Sequence, residues 1–223
     1  MTGRRDDRLA MSAPGSSGQI ALPLGWPSRP RDETFLVTPS NARAVHLVDH
    51  WGAWPVMTAL LVGPRKSGRS LLARIFAGKS GGSVIDDAQS APEEHLFHAW
   101  NRAQTARRPL LIVADRVPPA WEIVLPDLRS RLAAGVVAEI GPPDDELVRA
   151  LLAHEFARRA LDARPDLIAW LAGRLERSHL AVIRAVDALD QAALETRRRL
   201  SIPLARDTLA AAGLIAMPGG DAP

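Results

Sequence analysis

The sequence predicts an α/β protein in which a parallel sheet covered by helices is followed by a small helical domain. Two observations lead to this prediction. Short β-rich runs alternate with helical patterns up to residue 140, and such alternation is typical of a parallel sheet with helices on both faces. Beyond the break at Gly141-Pro142-Pro143, the chain shows helical periodicity only. The four predicted strands cover residues 57–62, 83–86, 110–113 and 136–140.

The helices of the second domain are predicted from their first residues and from apolar spacing. Asp144 caps the first helix, and Pro165, Ser178 and Pro203 begin the next three. Apolar residues then recur at helical spacing, so that one face of each helix is expected to be buried. These residues are Leu147, Val148, Leu151, Leu152 and Phe156 in the first helix, Leu167, Ile168, Leu171 and Leu175 in the second, and Ile183, Val186 and Leu189 in the third.

The composition excludes several classes of protein. The chain has 223 residues, a formal net charge of +3 and no cysteine, which excludes a disulfide framework and a thiolate metal site. No apolar run has the length of a membrane span. We therefore expect a cytoplasmic protein without membrane contact, and the scattered arginines give only a weak indication of nucleic acid. Residues 1–18 are expected to form a disordered tail, and residues 217–223 a carboxyl-terminal tail.

The most informative motif lies between the first predicted strand and the helical pattern after it. A glycine-rich turn in this position directs backbone N–H groups and a helix dipole at one spot, where nucleotide phosphates bind. The usual pattern ends in Gly-Lys-Ser/Thr, but here Arg69 replaces the lysine. Its guanidinium is bulkier than an ammonium, so we expect nucleotide binding to survive better than hydrolysis. The alternative is a glycine-rich turn without a ligand. The predicted phosphate-binding residues are Gly63, Pro64, Arg65, Lys66, Ser67, Gly68, Arg69 and Ser70.

Two carboxylates at the end of the second strand form the second candidate site. Asp86 and Asp87 are expected to be poorly solvated and to repel each other, so they need a cation or hydrogen-bond donors nearby. A complex of Mg²⁺ with phosphate supplies such a cation. Asp86 and Ser70 would then hold the ion, while Asp87 would orient or activate the attacking water. The alternative is a strand-end turn with a helix cap.

The resemblance to a known family rests on several segments of the chain. They are the phosphate loop, the Asp86-Asp87 strand, and residues 34–41, 125–132 and 197–204. Together they are similar to the AAA+ module of the Hda family, whose members regulate the bacterial replication initiator DnaA. The resemblance runs from residue 19 to about residue 215. It implies an AAA+ α/β domain at residues 25–142 and a helical lid at residues 143–216.

The resemblance gives a function to residues 19–24. In the Hda family, a short peptide in this position docks on the sliding clamp, the β subunit of DNA polymerase III, and so meets DNA indirectly. A proline in such a strip lowers the ordering cost of binding. The alternative is an unstructured leader that packs its leucines on its own domain. The implied clamp-binding residues are Gln19, Ile20, Leu22, Pro23 and Leu24.

Arg131 matches the position at which the family carries an arginine finger. Such a residue enters the nucleotide site of a neighbouring subunit and stabilises the charge that develops on the transferred phosphoryl group. The implied neighbour is ATP-bound DnaA, so we expect an activator of another protein's hydrolysis rather than an efficient ATPase. Arg129 lies two residues earlier and matches less well. The alternative is a surface arginine that caps a helix carboxyl end.

Some positions depart from the family pattern. Only residues 78–83 separate the loop's helix from the second strand, where the family has a further strand and helix, so a reduced sheet of about four strands is expected. Leu180 stands where a phosphate-sensing arginine is expected, although Arg177 and Arg184 flank it by about one turn. We include Arg184 in the predicted nucleotide site, together with Asp115 at the strand end that senses the γ-phosphate. ADP or ATP is expected to bind there with slow turnover.

Two other functions remain open at this point. A self-hydrolysing AAA+ motor or helicase loader needs efficient turnover, against which Arg69 and Leu180 argue. An initiator paralogue related to DnaA would need a helix-turn-helix domain after the lid, where only residues 217–223 are present. Self-association, including a homodimer, is also left open by the sequence.

Overall fold

The computed structural model describes residues 35–216, in which helices and strands alternate as far as residue 139. Two short 3-10 turns, Trp51–Ala53 and Ala88–Ser90, lie between the longer elements. Those longer elements are α1 (Pro39–Asp49), β1 (Thr58–Val62), α2 (Arg69–Ser80), β2 (Ser83–Ile85), α3 (Glu93–Ala106), β3 (Leu110–Ala114), α4 (Pro126–Ala133) and β4 (Val136–Glu139).

The four strands form one parallel sheet in the order β2-β3-β1-β4. The central strand β1 pairs on both sides, with Leu60 opposite Ile112 of β3 and Val137 of β4. Within the described part of the chain, β2 pairs with β3 alone and therefore forms an edge. The prediction of a reduced parallel sheet is confirmed, because the two residues between α2 and β2 leave no room for a further strand.

The side chains of the central strands alternate between two buried clusters, because successive strand residues point to opposite faces of a sheet. One cluster joins Leu60 and Ile112 to α3 and α4. The other joins Leu61 and Val113 to α1 and α2. Since both faces are covered, β3 is an unbroken apolar run, and β1 is one after Thr58, rather than alternating.

The lid consists of four helices, α5 (Asp145–Arg158), α6 (Pro165–Ala172), α7 (His179–Thr196) and α8 (Ile202–Ala211). They pack around a cluster of their own, whose buried members all lie between Val148 and Ile215. The predicted caps are confirmed for two of them. The Asp144 carboxylate accepts from the Leu147 N–H at 2.7 Å, and the Ser178 hydroxyl from the Ala181 N–H at 3.1 Å.

Four apolar residues of the lid differ from the expectation: Leu151 and Ile168 are only partly buried against the cluster, and Leu175 and Ile183 depart further. Leu175 is buried but lies beyond the end of α6. Ile183 is only half-buried, and Val182 faces the cluster in its place. The reason is the start of α7 after Ser178, which sets positions 182, 185, 186 and 189 on the inner face. The domain bounds 25–142 and 143–216 stay predictions. No helix between residues 35 and 216 is both long and apolar enough to span a membrane.

Candidate functional site

The candidate site lies at the carboxyl ends of the strands, where the loop after β1 leads into α2. Gly63 has a φ of +152°, and a Cβ at this position would lie 2.6 Å from the main-chain oxygen of Ile140. Gly68 has a φ of +85° and immediately precedes Arg69, the first residue of α2. Because glycine alone adopts such angles readily, these two residues let the loop turn closely against Ile140, just after β4, and against Phe35.

The loop offers groups that suit a phosphate. The first N–H groups of α2 have no partner within the helix and carry the positive end of its dipole. Ser67 is 4% exposed, and its hydroxyl has no hydrogen-bond partner within the described residues. Buried hydroxyls are normally hydrogen-bonded, so this one is an exception, and Ser67 is not part of the cleft lining described below. The start of α2 is thus the part of the loop whose N–H groups suit a phosphate, and phosphate binding by residues 63–70 stays a prediction.

Arg69 stands at the position of the usual lysine and reaches across to the end of β3. Its Nη2 donates to Oδ1 of Asp115 at 2.5 Å, and its Nη1 donates to the main-chain oxygen of Ala114. The Arg69 side chain is only 12% exposed. This hydrogen bond from Arg69 is the main cause that lowers the pKa of Asp115 below its usual value.

Two further side chains complete the network around Asp115. Nε of Arg65 lies 3.3 Å from the second carboxylate oxygen, Oδ2, although the Arg65 side chain is 80% exposed. Oε1 of Gln89 accepts from the Asp115 N–H at 2.7 Å. The structure thus brings Asp115, a predicted site residue, into contact with two arginines of the predicted loop.

Asp86 and Asp87 follow β2, and both are exposed. Asp86 accepts from the Asp87 N–H at 2.9 Å, and Asp87 accepts from the Ser90 hydroxyl at 2.8 Å. The expectation of poorly solvated carboxylates is wrong, because β2 is an edge strand that water reaches. Within residues 35–216, no group of three or more His, Cys, Asp or Glu side chains is arranged to hold a metal ion. The metal role of Asp86 and Ser70 and the water-activating role of Asp87 stay predictions.

The loop, the end of β2 and the end of β3 line one cleft. Its lining consists of Arg65, Arg69, Ser70, Asp86, Asp87, Val113, Ala114 and Asp115. The lid residue Arg184 is not part of this lining and lies exposed on α7, so its nucleotide role stays a prediction. Arg177 pairs with Asp145 at 2.9 Å. Leu180, at the expected sensor position, is 37% exposed.

Arg131, the predicted finger, is bound by side chains of α3 and α4. The centre of its guanidinium lies 4.3 Å from the ring centre of Phe97 and 4.6 Å from that of Trp100. It donates to Oδ1 of Asn101 and pairs with Asp127 at 2.9 Å, one helical turn earlier. As a result, 24% of the side chain is exposed. The guanidinium is occupied within its own domain, and its role in trans stays a prediction.

Arg129 has different surroundings, although it lies on the same helix. Residues two apart on a helix differ by about 200° around its axis, so Arg129 lies on the side of α4 away from Arg131. It is exposed, and its side chain has no ion pair within the described residues. α4 therefore presents one bound arginine and one arginine that is open to solvent.

Sequence reasoning missed the aromatic contacts of Arg131 and the pairing of the loop arginines with Asp115. Phe97 and Trp100 are three residues apart on α3, a spacing that predicts a shared face and was the available signal. For Arg65 the available signal was its place in a loop that faces the end of β3. The predicted clamp-binding residues 19–24 lie outside the described residues.

Comparison with protein families and relatives assigns the lid. Residues 144–209 match the family model described as "Hda, lid domain". A protein of Haemophilus influenzae, described only as an uncharacterized protein, is 31% identical over 131 residues, which make up 56% of this chain and 57% of that relative. The chain thus spans little more than half the length of this curated relative.

Solved structures share the fold over most of the chain. Domain III of the replication initiation protein DnaA from Thermotoga maritima matches with a TM-score of 0.67 and 17% identity, over 81% of this chain and 95% of that one. DnaA from Aquifex aeolicus, solved with AMPPCP bound, matches with a TM-score of 0.54 and 17% identity, over 72% and 63% of the two chains. The parallel sheet with its helical lid is therefore an AAA+ fold.

Proposed function

Because this chain is an Hda-family protein, we propose that it regulates the initiation of chromosomal replication by promoting hydrolysis of DnaA-bound ATP. The observation that carries the proposal is an Hda lid at residues 144–209 joined in one chain to a DnaA-like AAA+ fold. The proposal has three parts: a nucleotide held in the cleft, an arginine offered to a partner, and a tether to the sliding clamp.

The first part is that ADP or ATP binds at residues 63–70. The glycines at positive φ and the N–H groups at the start of α2 support phosphate binding there. The DnaA of Aquifex aeolicus, which has the same fold, binds AMPPCP. Mg²⁺ beside the phosphates would supply positive charge, and Ser70 and Asp86 are the residues proposed to hold it. Asp87 is proposed to orient water in the same cleft.

We propose that the protein alone turns ATP over slowly. Arg69 donates hydrogen bonds to Asp115 and to the Ala114 carbonyl, so its guanidinium already interacts with groups of its own domain. Leu180 carries no charge at the place of a sensing arginine, and Asp87 is exposed to solvent. These features weaken the stabilisation of the developing charge, on which phosphoryl transfer depends.

The second part is that α4 faces the nucleotide of DnaA and supplies an arginine there. Arg131 is the proposed finger, and its guanidinium must leave Phe97 and Trp100 to reach a partner. Arg129 on the same helix is already exposed and is the second choice. In related phosphoryl-transfer systems, an arginine supplied in trans accelerates hydrolysis by about 10³–10⁵.

The third part is that residues 19–24 dock on the clamp. Gln19 is the proposed polar anchor, and Leu22 and Leu24 are the proposed apolar anchors, with Ile20 and Pro23 between them. A tether of this kind raises the local concentration of the AAA+ module near DnaA on DNA, to the order of millimolar for a short flexible linker.

The test is a hydrolysis assay on the initiator. DnaA loaded with ATP is incubated with this protein, with and without clamp loaded on DNA, and conversion to ADP is followed. We expect acceleration only when the protein and the loaded clamp are both present. Absence of acceleration under these conditions would contradict the proposal. Steady-state turnover by the lone protein at about 1 per second or faster would instead identify a self-hydrolysing motor.

A further inference from the structure

Two histidines lie one turn apart at the carboxyl end of α1. His46 is in the last turn of the helix, and His50 follows its final residue, Asp49. Residues four apart on a helix are neighbours on its surface. Here the two imidazole rings stack, with their centres 3.9 Å apart and their planes inclined by 16°. Both residues are exposed, so an ion from solution can reach the two rings.

A hydrogen bond orients the ring of His50. Its Nδ1 lies 2.8 Å from the main-chain oxygen of His46, and since a carbonyl oxygen only accepts, Nδ1 carries a proton and donates it. In the neutral ring, the lone pair is then on Nε2. Histidines that bind metals almost always donate their other ring N–H in this way, because the bond fixes the ring and makes the ligating nitrogen more basic. His50 therefore has the arrangement of a metal ligand.

The backbone that carries the two histidines is held by the core. Val48, which lies between them, is fully buried in the cluster on the α1 and α2 face of the sheet. Nε1 of Trp54 donates to the main-chain oxygen of Leu47 at 2.8 Å, and the Trp54 ring stacks on Phe76. Because this turn is already ordered, binding an ion costs little conformational entropy of the backbone.

The charges around the two rings suit a cation. The carboxyl end of a helix carries partial negative charge, and both histidines lie there. The Asp49 carboxylate is adjacent, and it pairs with Lys79 at 2.9 Å, which offsets the charge of that lysine. Between residues 35 and 216, no three His, Cys, Asp or Glu side chains are grouped to hold a metal, so water must complete the coordination of an ion bound by these two rings.

We propose that His46 and His50 form a binding site for a divalent transition-metal ion, with Cu²⁺ bound more tightly than Zn²⁺. Two nitrogens at about 2.0–2.1 Å from a tetrahedral ion lie about 3.4 Å apart, a little less than the 3.9 Å between the ring centres. The lone pairs of nearly parallel rings point side by side, so the ring of His46 turns to direct its lone pair at the ion. Neither histidine lines the nucleotide cleft, and the site does not depend on the proposed function.

The test is isothermal titration calorimetry of the full chain, without an affinity tag or nucleotide, using Cu²⁺ and Zn²⁺. We expect Cu²⁺ to bind more tightly than Zn²⁺, and Mg²⁺ not to compete, since it prefers oxygen ligands. His46→Gln and His50→Gln should each weaken Cu²⁺ binding by about tenfold or more, because the second imidazole binds at the effective concentration set by the first. Unchanged Cu²⁺ affinity in either variant would overturn the inference.

A matched control is the double variant His95→Gln and His98→Gln. These two histidines are also exposed and lie one turn apart on α3, but the ring of His98 contacts Phe97 rather than His95. The double variant should keep the wild-type affinity for Cu²⁺. If it loses binding while His46→Gln retains it, the ion lies on α3 and the inference is overturned.

The variant His50→Asn separates the ligand from the hydrogen bond. The asparagine amide can still donate to the His46 carbonyl as Nδ1 does, but it has no counterpart of Nε2. We expect the same loss of Cu²⁺ affinity as in His50→Gln, with an electron paramagnetic resonance spectrum that shows nitrogen coupling from two imidazoles in the wild type and from fewer in the variant. Wild-type affinity and an unchanged spectrum in His50→Asn would overturn the assignment of His50 as a ligand.

Discussion

Arg131 is bound within its own domain, and this affects how it can act on a partner. To act as the proposed finger in another subunit, it would have to break its contacts with Phe97 and Trp100 and its bonds to Asn101 and Asp127. A cation–π contact contributes about 0.5–2 kcal/mol, depending on exposure. Release therefore costs a few kcal/mol, an amount that contacts with the partner can offset.

Arg131→Ala is expected to abolish the stimulation of DnaA-bound ATP hydrolysis. It should also lower the free energy of unfolding by about 1–3 kcal/mol, because Asn101 and Asp127 lose a charged partner. Lysine should restore little, since it lacks the planar guanidinium. The measurements are initiator hydrolysis with loaded clamp and urea denaturation of the variant.

Arg129→Ala is the matched variant for this experiment. Arg129 is exposed and lies on the same helix, so its removal should leave stability within about 0.5 kcal/mol of wild type. Stimulation should remain if Arg131 is the finger. Full stimulation by Arg131→Ala together with loss in Arg129→Ala would assign the finger to Arg129.

His179 predicts a pH dependence of stability. It is 5% exposed, its Nδ1 has no partner within the described residues, and burial lowers its pKa. The unfolded chain then binds a proton more readily than the folded one, so stability is complete above the unfolded pKa of about 6.5 and is lost as pH falls below it. The urea midpoint should drop between about pH 7 and 5, and less steeply in His179→Gln. The variant His95→Gln, at an exposed position, should keep the wild-type dependence of the urea midpoint on pH. If the wild type and both variants show the same dependence, His179 is not its cause.

At the scale of helices and strands, the Asp144 carboxylate accepts hydrogen bonds from the first turns of two helices. Its Oδ1 accepts from the Leu147 N–H in the first turn of α5 at 2.7 Å, and its Oδ2 accepts from the Ser40 N–H in the first turn of α1 at 3.0 Å. The bond from Leu147 is the main cause that lowers the pKa of Asp144. One carboxylate thus links the start of the lid to a helix of the α/β half.

Asp144→Ala is expected to lower the free energy of unfolding by about 1–2 kcal/mol, the usual cost of losing a helix cap. Asp144→Asn should cost less, because its amide oxygen still accepts one bond. Since the folded pKa of Asp144 is lowered, its contribution is present above the unfolded pKa of about 3.9 and lost as pH falls below it. Urea denaturation at neutral and acidic pH measures both effects. The neighbouring Asp145→Ala loses only an exposed pair with Arg177, and an equal loss there would contradict the capping role.

The elements could be predicted from the sequence because their signals are local. The strand runs, the caps at Asp144 and Ser178 and the glycine-rich turn each lie within a few residues. The contacts that shape the site are not local. Arg69 and Asp115 are 46 positions apart, and Arg131 and Asn101 are 30 apart. The exposure of Asp86 likewise depends on which strand forms the sheet edge, a property of topology rather than of the strand's own residues.

At the scale of the whole molecule, the proposed clamp binding is assigned to residues 19–24, while the α/β and lid clusters lie elsewhere in the chain. Changing Gln19 and Leu22 together to alanine should reduce clamp affinity by roughly 30- to 1000-fold, which corresponds to about 2–4 kcal/mol. The melting temperature should not change. Ala21→Ser, within the same peptide, is the control and should keep binding. Undiminished capture of the double variant on immobilised clamp would remove the tether from the proposal.

The place of β2 at the edge of the sheet has a consequence for the chemistry of the cleft. Asp86 and Asp87 emerge from a margin that bulk water reaches, so the local dielectric constant around them is high. Electrostatic stabilisation of a transition state is strongest where water is excluded and the dipoles are fixed. A cleft open along this margin is better suited to retaining a nucleotide than to cleaving it, and a dry, catalytically effective environment would have to be completed by another protein.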